Sequence, residues 1–535
     1  MAMRIDRFEL LPAALVLALV AGVFAMILRL NDGQFVYSLD DPYIHLAMAE
    51  GIARLHYGIN PGEASAASSS ALWPFLLAPF AALGIEEWVP LLINAACAVI
   101  ATFVLQRVVA FAAVPDSVPH AVIHRIVLTV ALALGLDLVG LVFTGMEHSL
   151  QVLCAMLVAY GLMRDATEAR LVWWLPVAIV AGPLLRYESL ALSLGAIGYL
   201  ACRGRWRLAI GLAGAVALPL AGFSLFLHQQ DLGWLPTSVL VKLGAEPQSP
   251  GVAGTLIAAS LASIHDFPRR PADIGLAAIG LLFVAGIVRA PRVAAGRSLS
   301  VVGLLVVVAH LVFGQTWRFP RYEVYAEAAA MLLLVHRYGP LIGGLFRRAP
   351  VWVGSVATVV AAVILFPINL VATIETPLAA NNIFEQQFQM HRAAGEIADG
   401  PVAVNDLGWA SYRNDRYVLD LWGLASKEAW RLRRVRAPGW MRDLAAARGV
   451  ELAMIYDSWL GAQVPADWVL LGRLRLGRSR ITPASDLVSF YATSAAAAAR
   501  LRPRLSAFAA GLPAAVRLER ATELPHEPAP AAPVS

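Results

Sequence analysis

Apolar runs of roughly 15–25 residues recur in this chain from Leu10 to Val371, and few folds can accommodate them. Across the 535 residues, 59% are hydrophobic and 15% are charged. A soluble domain of this size needs far more polar surface, so the pattern implies a polytopic membrane protein. The formal net charge of +5 is no nucleic-acid signature, because the arginines cluster in short gaps between apolar runs, where they orient a membrane protein. Cys97, Cys154 and Cys202 lie in apolar runs, with neither metal spacing nor a disulfide framework.

The first expected span is roughly 9–30. Arg4 and Arg7 precede it, which makes the N-terminus cytoplasmic, and the absence of a convincing cleavage site makes it a retained span rather than a signal peptide. Segment 69–84 is apolar but holds Pro74 and Pro79, and as a helix it reaches only about 24 Å. If it crosses, the gaps with Arg164 and Arg170, with Arg203, Arg205 and Arg207, and with Arg347 and Arg348 all fall outside. If it lies in the interface or re-enters, they all fall inside, and the positive-inside rule selects that reading. The remaining spans are expected at 88–110, 124–143, 146–163, 171–185, 188–202, 207–228, 272–289, 299–314, 322–338 and 351–371. The fold expected is an α-helical polytopic membrane protein with about eleven spans and a periplasmic surface helix, over residues 1–375. Short β runs then alternate with helical ones (PVAVN, YVLDLWG, VELAMIYD, WVLLG, LVSFYAT), which predicts a soluble periplasmic α/β domain at 376–515 with a parallel sheet. Residues 516–535, rich in Pro and Ala, read as a disordered tail.

This topology brings the polar clusters to the outer face. Asp40 and Asp41 come just after the first span. Asp41 with Pro42 reads as an N-cap and first helical position, and Ile44, Met48, Ile52 and Leu55 form one stripe of a helix lying on the membrane and ended by Gly58. Capping alone leaves Asp40 unexplained, whereas adjacent carboxylates suit a base or a metal ligand. Glu147 and His148 in TGMEH, and Arg186 and Glu188 in RYE, reach the same face. An exposed helix-start acid, a packing histidine and a structural ion pair are the simpler alternatives. Asp137 lies deeper, as a functional acid or an inter-helix hydrogen-bonding group. Lys242, Arg318 and Arg321 are outer-face cations suited to lipid headgroups or to a substrate phosphate. Glu323 and Glu327 read as ion-pairing residues, and Asp406, Asp420 and Asp457 as solvated loop acids.

Several of these stretches resemble the GT-C superfamily of membrane glycosyltransferases, in particular the bacterial arabinofuranosyltransferase and mannosyltransferase-like group. SLDDPYIHLAMAEGIA with INPGEASAASSSALWPFLLAPF looks like that family's first external loop. TGMEHSL, LLRYESL (Tyr187 stands where Pro is usual), DLGWLPTSVLVKLG and AVNDLGWASYRNDRYVLDLWGLAS resemble later elements, in the same order. The resemblance implies an inverting transfer of a sugar from a polyprenyl phosphate to a glycan or lipid acceptor of the cell envelope, at the periplasmic face of a bacterial inner membrane. It implies that Asp40 or Asp41 is the general base, that Glu147 shapes the site, and that His45, Arg186, Glu188, Lys242, Arg318, Arg321 and Tyr322 bind substrate. A divalent cation (Mg2+, Mn2+ or Ca2+) would fall to Asp41, Glu147 and His148. A flippase for lipid-linked oligosaccharides and a nonenzymatic assembly subunit are the other classes. ATP-driven transport is disfavoured, because no GxxxxGK[ST] loop is present.

Overall fold

The computed structural model describes residues 10–242, 271–289, 295–316 and 319–521. Its helices begin with α1 (Leu11–Leu30), α2 (Asp41–Ala53), α3 (Trp73–Ala81), α4 (Val89–Val108), α5 (Ala121–Gly135) and α6 (His148–Glu168). There follow α7 (Trp174–Leu185), α8 (Leu190–Cys202), α9 (Trp206–Gln229) and α10 (Thr237–Lys242). Among the described residues six helices are long and apolar enough to cross a membrane, and a bent pair around Phe366 would make a seventh. The expected eleven full spans are therefore not reached among the described residues. α7 and α8 have 12 and 13 residues, about 18 and 20 Å, well short of a hydrocarbon core of about 30 Å. α6 is long enough but comparatively polar. Most of it is buried in the bundle, where side chains such as Gln151 and Asp165 meet protein rather than lipid.

α6 and α8 divide the bundle into two ends. At one end Asp165 meets Arg205 (2.5 Å), Arg203 (3.7 Å) and the Tyr199 hydroxyl (3.1 Å). About 25 Å away along α6 lie Glu147, Arg186 and Glu188. Segment 69–84 begins and ends at this second end: Ser69 bonds Arg186, and Glu86 accepts from the Tyr412 hydroxyl (2.7 Å). Its helix α3 has nine residues, about 14 Å.

The second end carries a six-stranded sheet: β1 (Val402–Val404), β2 (Val418–Asp420), β3 (Leu452–Ile455), β4 (Val469–Arg475), β5 (Leu487–Ala492) and β6 (Arg517–Arg520). The order is β2-β1-β3-β5-β4-β6. β2, β1 and β3 are parallel, but β5 is antiparallel to both β3 and β4, and β4 to β6, so the sheet is mixed rather than parallel. β4 and β5 are sequential strands linked without a crossover helix, and such a pair runs antiparallel. β6 also carries the domain past residue 516, where composition suggested a tail. The composition change at Thr376 falls inside the helix Pro367–Glu385, which leads from bundle to sheet.

α2 departs most from expectation. It is no half-exposed surface helix, because both sides are covered. Tyr43, Leu46 and Ala47 belong to the bundle core, whereas Ile44 and Met48 pack with Val402, Met454 and Phe490 of the sheet domain. The helix stops at Ala53. Leu55, with φ 59° and 99% exposed, leaves the stripe, and Gly58 lies beyond the helix.

Candidate active site

The start of α2 is held rigidly. Ser38 donates both its amide (2.9 Å) and its hydroxyl (3.0 Å) to the Phe143 carbonyl. Gly145 has φ +65°, and a Cβ there would stand 2.7 Å from Pro42 and from Tyr37. Only glycine satisfies both the dihedral and the close approach. The Tyr37 amide donates to the Tyr43 hydroxyl (3.0 Å) and closes the turn around the two aspartates.

That turn sends the aspartates to different tasks. Asp40, not Asp41, is the N-cap residue, and its side chain makes no bond to α2. It turns to the sheet domain, where its oxygens accept the amides of Gly408 (2.6 Å) and Trp409 (2.8 Å). A Cβ on Gly408 would lie 2.1 Å from the Asp40 carbonyl oxygen, so no other residue fits there. Burial, and then the neighbouring Asp406 carboxylate, raise the Asp40 carboxyl well above the usual aspartate range. Burial also raises Asp406, which shares a hydrogen bond with Asp40 and accepts from Gln387 and from the Tyr456 hydroxyl, both at 2.7 Å. Asp41 is the more open of the pair, and its carboxylate meets the Arg321 guanidinium at 3.0 Å.

Behind Arg321 lies a second network, buried except for Glu188. Arg186 forks onto Glu188 (2.7 and 3.2 Å) and also donates to Glu147 (3.2 Å) and Ser69 (2.9 Å). His45 approaches Glu147 at 3.6 Å and Ser68 at 3.0 Å. Tyr322 joins the two sets: the guanidinium carbons of Arg186 and Arg321 lie 5.0 and 4.7 Å from its ring centre, and its hydroxyl bonds Arg321 (3.0 Å). Such contacts are cation–π pairs. The predicted residues His45, Glu147, Arg186, Glu188, Arg321 and Tyr322 thus form one connected group beside Asp41. Arg318 and the side chain of Lys242 lie outside the described residues.

The expected metal set does not assemble. Among the described residues no three His, Cys, Asp or Glu side chains converge as a metal site requires. Asp41 is engaged by Arg321, Glu147 by Arg186 and His45, and the His148 ring packs edge-on against Tyr322 at 5.4 Å. Asp137 is structural, accepting from Thr373 (2.5 Å) and the Gly140 amide (3.1 Å). Glu327 bonds Asn369 (2.8 Å), and Glu323 accepts the Arg321 amide (3.4 Å), so neither pairs with the Arg321 side chain among the described contacts.

A cavity of about 530 Å³ opens between bundle and sheet domain. Its bundle wall presents Asp41, Gln315, Thr316, Arg321 and Tyr322, and its sheet-domain wall Asp406, Trp422, Trp430, Arg433 and Trp459. The second wall escaped the sequence reading. A signal for it existed: Asp406, Trp422 and Trp459 each follow the C-terminal end of a parallel strand (β1, β2 and β3), the edge at which open α/β sheets gather ligands. Asp420 is no solvated loop acid either. It accepts the amides of Trp422 (2.8 Å), Gly423 (3.0 Å) and Ala425 (2.7 Å) and so holds the loop after β2. Asp457 bonds Ser489 (2.6 Å) and Tyr491 (2.9 Å).

Residues 381–491 match the family model described as a domain of unknown function, DUF8728. No curated relative matches. Among solved structures, the chain is similar to the crystal structure of ArnT from Cupriavidus metallidurans bound to undecaprenyl phosphate. The identity is 11% and the TM-score 0.48, over 90% of this chain and 99% of that one.

Proposed function

We propose that this protein is a membrane glycosyltransferase of GT-C type that moves a sugar from a polyprenyl phosphate to an acceptor of the cell envelope. The observation carrying this reading is the Asp41–Arg321 ion pair, at 3.0 Å, on the wall of a cavity at the end of the bundle that meets the sheet domain. A donor whose chain stays in lipid would bring its phosphate to this end of the bundle. Arg321 then meets the phosphate, and Asp41, released from the guanidinium, takes the proton of the acceptor hydroxyl. The hydroxyl oxygen bonds the anomeric carbon as the carbon–oxygen bond to phosphate breaks, and the electron pair leaves on the polyprenyl phosphate. One displacement from the opposite side inverts the anomeric centre. Tyr322 and the Arg186 network hold Arg321 in place. The arginine distribution supports a site on the non-cytoplasmic side of the membrane.

The test is to incubate the purified protein with a panel of polyprenyl-phosphate sugars and follow release of polyprenyl phosphate. Release by the wild type and its loss in Asp41→Asn are expected. Translocation of intact lipid-linked sugar without release would identify a transporter instead.

A further inference from the structure

We infer that the sheet-domain wall of the cavity is a binding subsite for an acidic saccharide, formed by Trp422, Trp459 and Arg433. Only the assignment of that saccharide as the acceptor rests on the transferase reading.

The wall is built by three segments. Asp420 ties down the loop after β2, and Gly423 in that loop has φ +94°, with the Trp430 backbone nitrogen 2.6 Å from where a Cβ would be. This close approach seats the helix Lys427–Arg434 against the loop, so that Arg433 covers Trp422. Its guanidinium carbon lies 3.7 Å from the ring centre, and its Nε donates to the Trp422 carbonyl (3.1 Å). From the segment after β3, Trp459 packs against Trp422 with ring centres 4.2 Å apart, and Tyr456 meets it edge-on at 5.3 Å.

Packing alone does not account for this arrangement. Both tryptophans are only half-buried and face a cavity large enough for a saccharide. Arg433 is buried enough that its pKa falls to about 10, burial acting first and Arg434 second. The carboxylate acting on it, Asp420, makes no ion pair with it among the described residues and is taken up by the amides of Trp422, Gly423 and Ala425. A guanidinium with no carboxylate in contact, held in an aromatic recess, can accept an anion, and its flat fork matches a carboxylate or phosphate. Trp422 is itself covered by Arg433 and Trp459, so the open part of Trp459 supplies the apolar surface for the C–H groups of a sugar ring. The donor lipid, tethered in the membrane, approaches from the bundle wall with Asp41 and Arg321, which leaves this wall to the second substrate. A uronate and a phosphosugar both carry the required chemistry.

The test uses the full chain in phosphatidylcholine nanodiscs, without donor, titrated calorimetrically with trigalacturonate, phosphorylated maltotriose and maltotriose. At least one acidic probe should bind about tenfold tighter than maltotriose, the effect of one charge-assisted hydrogen bond. The tighter of the two identifies the acidic group. Arg433→Gln should bring both acidic probes down to the maltotriose level, Arg433→Lys should keep part of the preference, and Trp459→Ala should weaken all three probes. Arg442→Gln, which alters an exposed pair with Asp467, should change nothing. Equal binding of acidic and neutral probes by the wild type would overturn the subsite. So would a preference that survives in Arg433→Gln with an unchanged melting profile. Farnesyl phosphate binding, read on the same samples, should depend on Arg321 and not on Arg433. If acidic-sugar binding persists while farnesyl phosphate fails to bind and no transfer occurs, the transferase reading falls and the subsite stands. Transfer with no acidic preference overturns the subsite alone.

Discussion

Asparagine substitutions at Asp40 and at Asp41 should have opposite consequences. Asp40 offers two oxygens to two buried amides, at 2.6 and 2.8 Å. In Asp40→Asn the side-chain nitrogen must face one of those amides, whichever way the group is turned, so one bond is lost and one buried N–H is left unpaired. Such a loss is about 1–3 kcal/mol. At about 2 kcal/mol, local opening of the joint rises about 30-fold. Hydrogen exchange of peptides covering 405–412 reads this directly, and the amides of Gly408 and Trp409 should exchange about 30-fold faster. In Asp41→Asn those amides should exchange as in the wild type, while sugar transfer falls by about 100-fold or more, the contribution of a positioned base. The division of labour is refuted if Asp40→Asn abolishes transfer while exchange at 408 and 409 is unchanged, for Asp40 would then be the base.

Three further perturbations bear on the same joint and network. Gly408→Ala puts a methyl group 2.1 Å from the Asp40 carbonyl oxygen and should loosen the joint at least as much as Asp40→Asn; unchanged exchange at 405–412 would contradict the contact. Asp40 and Asp406 are both raised by burial and, for Asp40, by Asp406. A folded pKa above the unfolded value of about 3.9 means that their contribution is complete below that pH and is lost as pH rises through the raised value. Exchange at 405–412, corrected for intrinsic rates, should therefore accelerate with pH, and Asp406→Asn should flatten the profile; protection that grows with pH would refute the sign. Arg186→Lys gives up the fork on Glu188 and leaves buried Glu147 short of a donor, a loss of about 2–3 kcal/mol. Its thermal inactivation midpoint should drop clearly below that of the wild type, and an unshifted midpoint would show that the network bears little load.

How much of this was legible in the chain varied with the distance over which a residue finds its partner. The arginine gaps located the site's end of the bundle because α6 and α8 run between Glu147 or Glu188 and Asp165 or Arg203, a local regularity that loop charges report. The two aspartates stood out as unusual, but their roles depend on contacts 368 residues away for Asp40 and 280 for Asp41, and no local pattern carries that. The stripe Ile44–Met48–Ile52 was visible, yet an amphipathic period reports one apolar face and not a second core arriving from the sheet domain. The strands β1, β2 and β3 and a parallel sheet were legible as runs alternating with helices, but the order β2-β1-β3 was not, so nothing showed that the tryptophans after β2 and β3 stand beside each other.

Asp40, the N-cap in helical conformation, and Asp41, the first residue of α2, are consecutive, and successive side chains in that conformation diverge by about 100°. One therefore faces the sheet domain and the other the cavity. Seating the domain and aiming the candidate base depend on the same turn, pinned from behind by Ser38, Phe143 and Gly145. A shift of the domain that drags Asp40 must rotate or translate Asp41 relative to Arg321. A displacement of about 1 Å at a reacting group is enough to cost roughly 100-fold in rate. The wall that would hold the second substrate and the residue that would activate it are thus mechanically joined through a single peptide unit, which gives the sheet domain leverage over the chemistry without contributing the base itself.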